Sequence, residues 1–209
     1  MTKINILGDS ITFGLYAEPL ENSFVNLLAK SFNAEIRNYG VCGMRMTLRP
    51  KEYADAPHDF FCFKNKVDEM NHDANLMLVF GGTNDYGPTN CPLGKLGDDT
   101  VHTVYGGIEC LIKELLKHYK KEQITFISPL YREDENMEAG SGSSYRGPLS
   151  KIRIAIQEEC KKYNIYYLDI KDKIGKAEGN PLFEDGLHPN NEGHALIAKT
   201  LEEFLFKKR

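Results

Sequence analysis

The sequence predicts one α/β domain over residues 1–209, built on a mostly parallel, five-stranded sheet covered by helices on both faces. Three observations lead there. Short apolar runs alternate with segments of helical period along the whole chain, the pattern of βαβ units. Runs such as NLMLVFGG (75–82) are apolar on both sides of the strand, as in a sheet buried on both faces. Finally, no linker, composition break or internal repeat divides the chain.

In order, KINIL (3–7) is the first strand. Phe24, Leu27, Leu28 and Phe32 space a helix over 21–32. AEIRN (34–38) is a second strand, and 44–59, with Pro50 and Pro57, is irregular. A short helix is expected within 60–70, followed by the strand 75–82. From Thr100, Val101, Val104, Tyr105, Ile108, Leu111, Ile112, Leu115, Leu116 and Tyr119 make one apolar stripe. QITFISPL (123–130) is a strand stopped by Pro129. Residues 131–147 form a polar, Gly/Ser-rich loop expected to be mobile and to flank a functional site. Helix 149–162, strand 165–170 and a final helix from about 191 to 206 complete the chain, the last burying Leu196, Ile197, Thr200, Leu201, Phe204 and Leu205.

Composition narrows the function. Hydrophobic residues make up 41% and charged residues 27%, ordinary for a chain with a real core. The net charge is −4 and no basic stripe appears, so no nucleic-acid partner is expected. The Lys pairs at 120–121, 161–162 and 207–208 read as solvated helix ends. No apolar run approaches 18 residues and the N-terminus lacks a signal-type core, so neither a membrane span nor a leader is expected. Five scattered cysteines without a CxxC pair suggest reduced thiols, not a disulfide framework or a zinc site, and a cytoplasmic setting. Homo-oligomerisation is left open.

Polar residues collect after the strands, where open parallel sheets bind ligands. The clusters are GDS (8–10), NYGVCG (38–43), GGTND (81–85) and DGLHP (185–189). Together they supply the parts of acyl transfer. A serine needs an adjacent base to become a nucleophile, and His188 can serve Ser10. Asp185, three residues earlier, can fix the tautomer of His188. The oxyanion of a tetrahedral intermediate needs donors aimed at it. Gly43 and Ser10 offer backbone N–H groups and Asn84 a side-chain amide. Plainer roles compete: Ser10 and Asn84 as turn formers, His188 as the start of a helix, and Gly43, or its neighbour Gly40, as backbone geometry alone. Asp9 and Asp85 are expected to hold loops, and Cys42 and Cys91 to be small buried hydrophobes, Cys42 against the site.

Four blocks in this order resemble the SGNH hydrolases, the GDSL-type lipases and esterases, over nearly the whole chain: GDS with Ser10, NYGVCG with Gly43, GTND with Asn84, and DGLHPN with Asp185 and His188. The first block reads GDSIT rather than GDSL. The resemblance implies a three-layer α/β/α, flavodoxin-like fold. It also implies an acylating serine, a histidine base, an orienting aspartate and an oxyanion hole of Ser10, Gly43 and Asn84, with no cofactor or metal. The expected activity is a serine esterase removing a small acyl group, acetyl first, from a carbohydrate or other polar carrier. Alternatives are a lysophospholipase or thioesterase, and a non-catalytic glycan-binding domain. A metal site of Asp9, Asp85, Asp185, His188 and His194 would leave Ser10, Gly43 and Asn84 idle. A nucleotide-binding module would need GxGxxG or GxxxxGK[ST], and neither follows a strand.

Overall fold

The computed structural model describes residues 1–54, 60–87, 91–135 and 148–208. Five strands, β1 (Lys3–Gly8), β2 (Glu35–Gly40), β3 (Leu76–Phe80), β4 (Ile124–Ile127) and β5 (Tyr166–Leu168), pair in the order β2-β1-β3-β4-β5. Every pairing is parallel. This is the flavodoxin-like order, whose switch point lies between β1 and β3.

The period of two in the strands divides the core into two layers. Leu7, Met77, Val79, Ile124 and Phe126 face one side. There they meet α3 (Phe63–Val67), α4 (Val104–Leu115) and α5 (Leu149–Tyr163). Ile4, Ile6, Leu78, Phe80 and Ile127 face the other. They meet α1 (Ser10–Phe13), α2 (Phe24–Phe32), α6 (Lys171–Ile174) and α7 (Asn191–Lys208). Phe24, Phe63, Phe80 and Phe126 are fully buried, and each such side chain contributes about 1.5–3 kcal/mol relative to exposure.

Local chemistry explains where elements depart from the expected bounds. The helix expected over 21–32 is a 3₁₀ turn, Leu20–Asn22, followed by α2, because the Ser23 side chain accepts from Asn26 N–H and restarts the helix. In the same way Thr103 caps α4 through Gly106 N–H, so that helix begins at Val104 rather than at Thr100. Val101 lies outside it, its carbonyl taken by Leu48 N–H. Helices α1 and α6 have four residues each, too short for a periodic signal. In α7, Ile197, Thr200, Leu201 and Leu205 are buried as expected, whereas Leu196 and Phe204 are only partly covered. Of the stretch expected to be irregular, 55–59 lies outside the described residues, and Lys51–Tyr53 is a 3₁₀ turn.

The sheet has two unlike edges. At its amino edge, Lys3 and Arg37 both pair with Asp73. The polar clusters picked out by the sequence lie at the carboxyl edge.

Candidate active site

The site is assembled where β1, β2 and β3 end and the loop before α7 returns. Gly8 closes β1 so tightly that a β-carbon would stand 2.0 Å from Thr12 Oγ1 and 2.6 Å from the Phe80 carbonyl oxygen. Asp9 then caps α1, its carboxylate accepting from Ile11 N–H at 3.0 Å. Ser10 therefore occupies the first helical position, where a backbone N–H has no acceptor within its own helix. The helix ends after one turn at Gly14, in the left-handed region (φ 100°) that glycine adopts without strain.

From 178 residues away, His188 Nε2 reaches Ser10 Oγ at 2.9 Å. On the other side of the ring, Nδ1 lies 2.8 Å from Asp185 Oδ2. An ionised carboxylate only accepts, so Nδ1 carries the proton, Nε2 offers its lone pair, and the Ser10 hydroxyl donates to it. Asp185 is fixed in turn by the N–H groups of Leu187 (3.1 Å) and His188 (2.8 Å) on Oδ1. Burial pushes the Asp185 carboxyl up, but the backbone N–H and ring of His188 outweigh it and hold it below its ordinary value. Ser10 is buried, and the His188 side chain is 14% exposed.

A second contact ties Asn84 to the residue that follows Gly43. The Asn84 amide donates to the Met44 carbonyl at 3.0 Å, tying the turn after β3 to the segment after β2. An amide has two hydrogens, so one remains. Gly43 has φ 76°, a backbone that disfavours any side chain. Gly40 serves packing instead. A β-carbon there would stand 2.3 Å from Phe13 N, so this glycine lets β2 lie against α1.

Asp9 and Asp85 sit behind the site, both buried. Asp85 receives the N–H groups of Met46 and Thr47 and the Thr47 hydroxyl, which shapes the loop after Gly43. Burial nevertheless raises its carboxyl. Burial also pushes Asp9 up to about 7, with the neighbouring charge of Asp85 adding to it. His194 is buried with partners of its own: one ring nitrogen receives Phe24 N–H and the other faces the Leu15 carbonyl. Among the described residues no group of three or more His, Cys, Asp and Glu side chains is placed to hold a metal ion. Cys91 is buried, but Cys42, expected to be buried, is exposed.

The sequence did not single out the first residues of the 131–147 loop as individuals. Glu133 N–H donates to the Gly186 carbonyl at 2.8 Å, and Arg132 donates to the Thr83 carbonyl at 3.2 Å. Segment 131–135 thus bridges the Asn84 turn and the His188 loop. The rest of the expected loop, 136–147, lies outside the described residues. Tyr16, also missed, sets its ring centroid 5.6 Å from that of His188. No motif marks it; only the fold reveals it.

A search of the curated proteins returned no match. Among solved structures, one protein from Lactobacillus plantarum is 27% identical, with a TM-score of 0.80 over 99% of this chain and 97% of that one. The lipase/acylhydrolase from Enterococcus faecalis is 20% identical, with a TM-score of 0.69 over 98% and 95%. A carbohydrate acetylesterase from Sinorhizobium meliloti is 14% identical, with a TM-score of 0.70 over 99% of each chain. Residues 6–196 match the profile of the GDSL-like lipase/acylhydrolase family. With that match spanning nearly the whole chain, and the same fold in its structural neighbours, the chain belongs to the GDSL-like lipase/acylhydrolase family of carboxylic ester hydrolases.

Proposed function

We propose that the chain is a serine esterase that removes a small acyl group, acetyl first, from a carbohydrate or another polar carrier. The observation that carries this reading is the unbroken hydrogen-bonded line from Ser10 through His188 to Asp185. Ser10 Oγ attacks the ester carbonyl as His188 Nε2 takes its proton, and Asp185 stabilises the imidazolium. The carbonyl oxygen becomes anionic and is met by the N–H groups of Ser10 and Gly43 and by the remaining amide hydrogen of Asn84. Collapse of the intermediate breaks the ester bond. His188 returns the proton to the departing alcohol, leaving Ser10 acylated. Water then repeats the sequence and releases the acid.

Support for a polar carrier comes from the recess beside His188. It measures about 540 Å³ and is walled by Tyr16, Glu18, Glu184, Asn190, Asn191 and Glu192. Carboxylates and amides suit a hydroxylated partner better than a long acyl chain. The carbohydrate acetylesterase from Sinorhizobium meliloti shares the fold, at an identity that carries fold alone.

Ser10→Ala tests the reading. It should abolish hydrolysis of p-nitrophenyl acetate with the melting temperature unchanged, and an organophosphate should label Ser10 in the wild type. Label on Ser128 or Ser150 would refute the assignment. A chain-length series of p-nitrophenyl esters, followed by acetylated sugars, tests the substrate: a preference for long acyl chains would favour the lysophospholipase or thioesterase alternative.

A further inference from the structure

We infer that Tyr16 is a positioning residue for His188, its ring held beside the imidazole by two side chains from the first turn of α7. The inference rests on the Ser10–His188 reading above.

Asp185 meets Nδ1 of His188 and Ser10 meets Nε2, but in-plane bonds at the ring edge do not press on its faces and leave the imidazole free to rock. A contact against the ring itself removes this freedom. Tyr16 supplies one, with its ring tilted 49° to the imidazole at a centroid distance of 5.6 Å.

The backbone of Tyr16 is unusual. Among the described residues only Tyr16, Asn33 and Asn164 combine a side chain with positive φ. The two asparagines end helices, where the left-handed conformation is common. Tyr16, at φ 64°, is the one bulky residue of the three. Glycine or asparagine would hold the same backbone with less strain, so the ring is what tyrosine adds. That ring is not packed in the core, since the residue is 41% exposed.

Two tethers flank it. On one side, the Leu15 carbonyl faces His194 Nε2 at 3.2 Å, while His194 Nδ1 receives Phe24 N–H at 3.3 Å. The second contact requires Nδ1 to be the bare nitrogen, so Nε2 carries the hydrogen and donates to Leu15. On the other side, Asn191 accepts from Glu18 N–H at 2.9 Å and donates to the Glu18 carbonyl at 2.7 Å. Both tethers come from the start of α7, which begins three residues after His188. One rigid piece of chain therefore carries the imidazole and grips the backbone on both sides of the tyrosine that leans on it.

The test separates ring from backbone. Tyr16→Asn keeps a residue suited to the left-handed region and removes the ring. On p-nitrophenyl acetate, which has no polar carrier to fill the recess that Tyr16 helps to wall, it should lower kcat about tenfold at unchanged KM, the scale of a modest misplacement of a reacting group. Its melting temperature should equal or exceed that of the wild type. The low-field Nδ1 proton resonance of His188 should broaden with the loss of its support. Tyr16→Phe restores the ring and should restore the rate and the sharp resonance. Activity that merely follows stability, or a Tyr16→Asn kcat within about twofold of wild type, would overturn the inference. Ser10→Ala is assayed in parallel. If it stays active, the reading of the site fails and the inference with it; if it is dead while Tyr16→Asn is fully active, the inference alone falls.

Discussion

Asn84 has two amide hydrogens, and the Met44 carbonyl takes one of them. That contact aims the other and gives the residue a structural and a chemical side that mutation can separate. Loss of one oxyanion donor costs about 100- to 1,000-fold in kcat. Asn84→Ala should show that loss with KM little changed. Asn84→Asp should be at least as damaging, because it places a negative charge where negative charge develops. An alanine variant above about half of the wild-type kcat would make Asn84 a turn residue only. Asp9 offers a separate test through pH. Its folded value lies near 7 against an ordinary 3.8. Between those values the folded chain holds a proton that the unfolded chain has released. The contribution of Asp9 to stability is thus full at low pH, declines from about pH 4 through about pH 7, and then levels off. Asp9→Asn keeps a capping side chain for Ile11 N–H and has no proton to lose. Urea midpoints should show the variant gaining on the wild type between about pH 4 and about pH 7, and equal slopes would refute the assignment. Ser10, Asn84, Asp185 and His188 stood out at this scale as candidates, because acyl transfer needs particular residue types and those types cluster after strands, whereas the choice of Gly43 over Gly40 came from the family resemblance. Tyr16 did not stand out, since a ring contact between distant segments leaves no local pattern.

Among elements, the short ones matter most and were hardest to read. Helix α1 is four residues long, so its face has no period, yet it sets the position of Ser10. What the sequence does carry is the cap at Asp9 and the glycine stop at Gly14, which bracket a single turn. The fit of α1 against β2 depends on Gly40, where a β-carbon would also come within 2.7 Å of Thr12 C. Gly40→Ala should destabilise by about 1–3 kcal/mol, as overpacking does, read as a drop in melting temperature. It should also reduce activity through displacement of Ser10. A fully stable and active variant would mean that β2 and α1 can separate at no cost. Segment 131–135 is held by another element: buried Arg153 on α5 donates to the carbonyls of Pro129 (3.0 Å) and Leu130 (2.7 Å) and pairs with Glu135 at 2.8 Å. Nothing in the one-dimensional pattern marks this arginine, which falls on the buried side of a helix read from its apolar residues.

At the scale of the molecule, the strand order explains how groups 178 residues apart meet. The neighbouring central strands β1 and β3 lead into Ser10 and Asn84, β2 leads to Gly43, and the loop before α7 returns His188 to Ser10. Alternation of strands and helices made the layers legible, whereas the order β2-β1-β3-β4-β5 emerges only in the structure, since periodicity does not say which strands pair. Both core layers share one sheet, so neither can melt and leave the other intact. A single thermal transition, coincident by near- and far-ultraviolet circular dichroism, is the expected result; two separated transitions would contradict a single domain. The polarity of the sheet also has a practical side. The ion pairs of Lys3 and Arg37 with Asp73 lie at the amino edge, and Ser10 lies at the carboxyl edge. A six-residue strand, about 20 Å at 3.3 Å per residue, separates the two. Anchored to a solid support by the amino edge, the molecule would present Ser10 to the bulk liquid, and an immobilised preparation built that way would keep its mouth clear of the surface that holds it.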